Sequence, residues 1–206
     1  MKYPKMEWGR IEAIVNKLGG EGGVDRFLAG EFVLVDPAKA KKGVKAQGPL
    51  FTFAGTFKTL GTKEFVFAKS FVINTSENAR VRISYLGDRL KKHLLPKTER
   101  NIEAAELKLQ KLCRSSIDLP KNAEEPGTIA GLGGLEKAET GGYEFFEALA
   151  YKQSVGDFSW TVGFARDENR VLWAVRAYWG GGGWYVGACS PSDPSDWDAG
   201  FEFLSR

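Results

Sequence analysis

The chain has 206 residues, of which 43% are hydrophobic, 13% aromatic and 27% charged, enough apolar material for one packed domain with a small appendage and too much for global disorder. Two cysteines, Cys113 and Cys189, exclude a disulfide scaffold, and a single histidine, His93, excludes a His-rich metal centre and leaves little room for histidine catalysis. The net charge of +3 hides a split: residues 1–100 hold 19 Lys/Arg against 10 Asp/Glu, a balance of +9, and residues 101–206 hold 10 against 16, a balance of −6.

In chain order, Ile11, Ile14, Val15 and Leu18 recur at i, i+3, i+4 and i+7, which predicts an amphipathic helix over 7–18 ended by Gly19 and Gly20. A second short helix is expected over 21–29, burying Val24, Phe27 and Leu28, and a short extended run over 32–35. The segment 36–49 holds four lysines, two prolines and two glycines and reads as a linker. The domains expected are therefore a helical-hairpin appendage with its basic linker at 1–45 and an α+β domain at 46–206.

From residue 51 the composition turns strand-like: Phe51, Phe53 and Phe57, then Glu64–Ile73, then Arg80–Tyr85, where strict alternation puts Val81, Ile83 and Tyr85 on one side. Asp88 is a plausible N-cap for a short helix over 89–95, stopped by Pro96. The periodicity predicts a helix over 98–115, with Ile102, Ala105, Leu109 and Leu112 as its buried stripe and Thr98 as its N-cap. A loop over 118–134 leads to a further helix within 135–152, with Phe146 and Leu149 inward and Gly141–Gly142 able to split it. The last 50 residues read as an antiparallel meander, with strands near 158–165, 171–179, 184–189 and 201–205.

The terminal hairpin is the most informative stretch. A turn at 180–183 pairs Trp179 with Trp184, Ala177 with Val186 and Val175 with Ala188, and the period of two puts these six side chains, with Trp173, on one face. That face is expected to be core. The opposite face carries Arg176, Tyr178, Tyr185 and Cys189, and is either a second packing layer or a binding surface of aromatics and a cation. Arg176, Tyr178 and Tyr185 are the candidate binding residues; no catalytic and no metal-binding residue is singled out.

Other constellations have ordinary explanations. The glycine-rich stretch 127–142 precedes a helix, as phosphate loops do, yet lacks the P-loop lysine and reads as a loop-to-helix connection. Asp193, Asp196 and Asp198, with Glu202, are oxygen ligands of the kind calcium uses, but the spacing is not an EF-hand and the residues suit turns. The opening hairpin carries one Arg, Arg26, on its second helix, too few for a DNA-reading helix. No apolar run reaches the roughly 20 residues of a membrane span, and the first residues have no h-region of a secretory signal.

Four stretches together, IVNKLGGEGGVDRFLAGE (14–31), VINTSENARVRISYLGD (72–88), LGGLEKAET (132–140) and RVLWAVRAYW with WDAGFEFLSR (170–206), resemble a family of short, uncharacterised proteins from uncultivated small-genome bacteria. Members of that family usually close with Phe-Ser-Arg, where this chain has Leu204-Ser205-Arg206. The resemblance implies a compact intracellular protein and no mechanism. The reading as a whole is an α+β fold: a small N-terminal helical hairpin, then a mainly antiparallel sheet with two or three helices packed on one face. The expected role is a cytoplasmic binding module, more a binder than an enzyme, with no cofactor and no membrane, whose partner is a protein or a second copy. The alternatives are a nucleotide- or phosphate-binding enzyme using 127–142, and a nucleic-acid binder using the basic first half.

Overall fold

A computed structural model of the protein describes residues 49–116, 119, 127–191 and 197–206, and the isolated Val24. Two units are distinguished, Met1–Gln47 and Gly48–Arg206, and every element below belongs to the second. The expected N-terminal hairpin, the extended run at 32–35, nearly all of the linker, and Asp193 and Asp196 lie outside the described residues.

The fold is α+β. Nine strands run β1 Phe51–Thr59, β2 Thr62–Val66, β3 Ile83–Leu86, β4 Thr98–Ile102, β5 Ala105–Leu112, β6 Thr161–Arg166, β7 Leu172–Gly180, β8 Gly183–Cys189 and β9 Glu202–Ser205. The helices are α1 Phe67–Ser70, α2 Asp88–His93, α3 Gly127–Gly131, α4 Leu135–Ala138 and α5 Gly142–Val155. Seven strands form one mixed sheet in the order β1-β5-β9-β6-β7-β8-β3, and β2 pairs with β4 in a small second sheet. The pairs β9–β6 and β3–β8 are parallel and the other four of the large sheet are antiparallel. No helix among the described residues is long and apolar enough to cross a membrane.

Both faces of the sheet are packed. On the first, Val175, Ala177, Trp184, Val186 and Ile83 meet Phe145, Phe146 and Leu149 of α5 and Leu90 of α2. On the second, Val162, Phe164, Ala174 and Phe203 meet Ile129 and Leu132, Ala138 of α4 and Trp197. Helices therefore flank the sheet on two sides, whereas the sequence reading put them on one. Helix α5 starts at Gly142 because nothing larger fits there: a Cβ would sit 1.8 Å from the Phe67 ring.

Three elements differ from the sequence expectation. The segment 98–115 is not a helix but β4 and β5, and Asn101, inside β4, sits at φ 51°, which no α-helix accommodates. Leu107 and Leu109 join the first core, alternating with exposed Glu106 and Lys108, and Leu112 at the end of the strand joins the second. The ladders to β1 and β9 on either edge override a good helix propensity. The run 64–73 is strand only to Val66, then turns into α1, so that Phe65, Phe67 and Phe71 converge on Phe146. The helix near 89–95 begins one residue early, with Gly87 as N-cap and Asp88 inside the first turn.

Candidate functional site

The terminal hairpin forms in the expected register: Trp179 opposite Trp184, Ala177 opposite Val186 and Val175 opposite Ala188. Gly180 and Gly183 also pair, so the turn proper is Gly181–Gly182, at φ 59° and 82°. Both central residues with positive φ make a turn whose twist matches the strands, which glycine adopts without strain.

The second face of β7 and β8 divides along its length. Ala174 and Cys189 are buried in the core beside Trp197, while Tyr178 stays exposed and Arg176 and Tyr185 half-buried. This open part lines a groove of about 410 Å³, bounded also by Tyr85, by the start of α2 and by Trp197. Tyr85 is 46% exposed and does not share a face with Ile83, contrary to the alternation. The pairing with β8 slips between them: Ile83 lies opposite Trp184 and Tyr85 opposite Tyr185. Ser84 is thus an inserted residue, and a bulge turns the next side chain over.

The result is a row of rings crossing the sheet. Phe201 stacks on Trp160 with centroids 4.7 Å apart, Trp160 on Tyr178 at 4.4 Å, and Tyr178 on Tyr185 at 4.9 Å and 9°. Tyr185 meets Tyr85 at 5.6 Å, and the Lys91 ammonium lies 5.6 Å from the Tyr85 ring centroid. Among the described residues, Arg176 makes no hydrogen bond or ion pair, and neither do the hydroxyls of Tyr85, Tyr178 and Tyr185. Gly187 faces the same groove: a Cβ there would meet only Arg176 Nε, at 4.0 Å.

A second, more open groove of about 530 Å³ lies at the start of α5, lined by Lys97, Glu99, Glu139, Thr140, Arg166 and Arg206 among others. Its charges are matched internally. Glu99 accepts the N–H groups of Gly142 and Tyr143 at 3.0 Å each and pairs with Lys97 at 2.8 Å. Arg166 donates to Glu139 at 3.0 Å, and Arg206 to Glu144 at 2.8 Å. The glycine-rich stretch ends here, but the helix N-terminus that would receive a phosphate already holds a carboxylate.

Glu144 is 1% exposed, and burial pushes its carboxyl up to about 7, Arg206 opposing and Glu99 reinforcing the shift. Glu147 is raised in the same direction, mainly by burial. An acid whose folded value lies above its unfolded one binds its proton more tightly in the native state. Its contribution is therefore full below about pH 4.5 and is lost as pH rises through about 7. From the Glu144 shift alone, stability should fall by about 3 kcal/mol across that range. Denaturant titrations at pH 5 and pH 8 measure it. Glu144→Gln should remove the larger part of the slope, and an unchanged slope in that variant would contradict the assignment. Asp157 and Asp167 lie below the usual range because hydrogen bonds outweigh their burial, so their effects belong to more acid pH.

The remaining reactive side chains are tied down. His93 stacks on Trp173 at 4.4 Å, with Nδ1 4.0 Å from Asp167. Asp167 accepts N–H bonds from Asn169 and Val171, both at 2.9 Å, and from the Trp173 indole at 3.0 Å, which closes the β6–β7 turn. Cys113 is exposed just after β5 and Cys189 is buried. Glu202 is bound to Lys152. No group of three or more His, Cys, Asp or Glu among the described residues is placed to hold a metal ion.

The chain matches no protein-family model, no curated protein and no solved structure.

Proposed function

We propose that this protein is a cytoplasmic binding module, not a catalyst, and that it binds through the groove built by Arg176, Tyr178, Tyr185 and Tyr85. The observation that carries this reading is Arg176, which lines the groove with no hydrogen-bond or ion-pair partner among the described residues, beside three tyrosines whose hydroxyls have none there either. Polar groups spent on the fold are normally paired. The engagement of His93 with Trp173 and Asp167 argues against histidine catalysis. The occupation of the α5 N-terminus by Glu99 argues against a nucleotide or phosphate at the glycine-rich stretch. Two cysteines in 206 residues suit a reducing compartment.

Gly187→Leu tests the assignment. A Cβ at this position meets no backbone within 4 Å, so the added side chain is expected to extend into the groove. Wild-type and variant protein purified from the native host should have melting temperatures within a few degrees of each other. Whatever the wild type retains, whether small molecule, protein or second copy, should be missing from the variant. Retention of the same component by Gly187→Leu would place the binding face elsewhere.

A further inference from the structure

We infer that the groove takes a small organic oxyanion, a carboxylate or a phosphate ester, held by Arg176 beside Gly187; this rests on the groove being the binding face. The geometry of the ring row decides the chemistry. Trp160, Tyr178 and Tyr185 each have a ring on both sides, at 4.4–5.6 Å. The outer neighbourhood of Tyr85 holds the Lys91 ammonium. No interior ring has a face left on which a base or a sugar could stack, so this is not a stacking platform of the single-strand-binding kind. What the row offers the groove is ring edges.

Those groups share one sign. The rim of an aromatic ring carries the positive part of its quadrupole. Arg176 adds a full charge and a planar fork that matches the two oxygens of a carboxylate or phosphate. Among the described residues Asp88 is the one carboxylate in the lining, and it is 3.5 Å from Lys91. The volume, about 410 Å³, is that of a small-molecule site. At Gly187 the groove wall carries no side chain, which leaves space beside the guanidinium.

Titration of the full chain by NMR at constant ionic strength tests this, with inorganic phosphate, acetate and methyl glucoside as separate probes. Saturable shifts of the Arg176 Nε–H and the Gly187 amide are expected with phosphate, acetate or both, and none with the glucoside. The phosphate and acetate arms tell the two kinds of oxyanion apart. Arg176→Gln should weaken the binding about tenfold, and Gly187→Leu should abolish it. Melting curves show that each variant is folded. Absence of saturation by either anion, or equal binding by Arg176→Gln, overturns the inference. Saturation by methyl glucoside that Gly187→Leu abolishes would keep the groove as the binding face and reject its preference for anions. If Gly187→Leu alters neither probe binding nor the component retained from the host, both readings fail.

Discussion

Trp184→Ala is expected to cost about 3–5 kcal/mol of unfolding free energy, a large part of the roughly 5–15 kcal/mol a domain of this kind possesses. Trp184 is fully buried. It sits on β8 between β7 and β3, edge-on to Trp179 at 5.3 Å and opposite Ile83. Truncation leaves a cavity that strands bonded on both sides cannot collapse to fill. Trp179 lies on the same face but is only half-buried, with the Arg82 guanidinium 4.8 Å from its ring centroid, so Trp179→Ala should cost less. Tyr185→Ala, on the open face, loses two ring contacts and should cost about 1–2 kcal/mol. Three urea titrations give the order. Equal losses for Trp184 and Tyr185 would mean that the tyrosine face is covered, removing the proposed groove.

Lys152→Met should be nearly as damaging, for an electrostatic reason. Lys152 has no exposed side-chain surface, and its ammonium lies 2.8 Å from Asp157, 2.5 Å from Glu202 and 2.7 Å from the Ser159 hydroxyl. Two carboxylates and one cation fasten the last turn of α5 to β9 and to the approach to β6. Methionine fills the volume but leaves Glu202, only 12% exposed, with its charge uncompensated. Removing one partner of a buried pair costs about 3–5 kcal/mol, whereas replacing both is often nearly neutral. Lys152→Met combined with Glu202→Gln should therefore recover a good part of the loss at pH 7. A single variant as stable as the wild type would show that the cluster contributes nothing.

The parts of this fold legible in the sequence are those set by neighbours in the chain. In the β7–β8 hairpin the glycine turn and the alternation agree, and register, core face and candidate face all follow. Arg176, Tyr178 and Tyr185 could be picked out for that reason. Tyr85 could not, because alternation through Ser84 puts it beside Ile83, and only the bulge against β8 reverses it. Trp160 and Phe201 join the ring row because β9 pairs with β6, a parallel contact between segments some forty residues apart that no local pattern announces. Leu109 and Leu112 misled for another reason: they join different cores from one strand, yet their spacing also matches a helical stripe. Glu99 reaches the start of α5 from a distant strand, so its capping role has no sequence signature at the helix.

The position of β9 has a consequence for how the protein is made. It is the last strand in sequence, yet it lies between β5 and β6 in the interior of the seven-stranded sheet. A chain emerging from the ribosome can assemble β1 with β5 as one ribbon, and β6, β7, β8 and β3 as another. It cannot join them until residues 202–205 are released. Until then the facing edges of β5 and β6 stay unpaired, and such edges are templates for pairing with other chains. Completion of the sheet thus waits for β9 and depends on contacts distant in sequence, which slows it, and the two ribbons are most open to misassembly until that strand is in place.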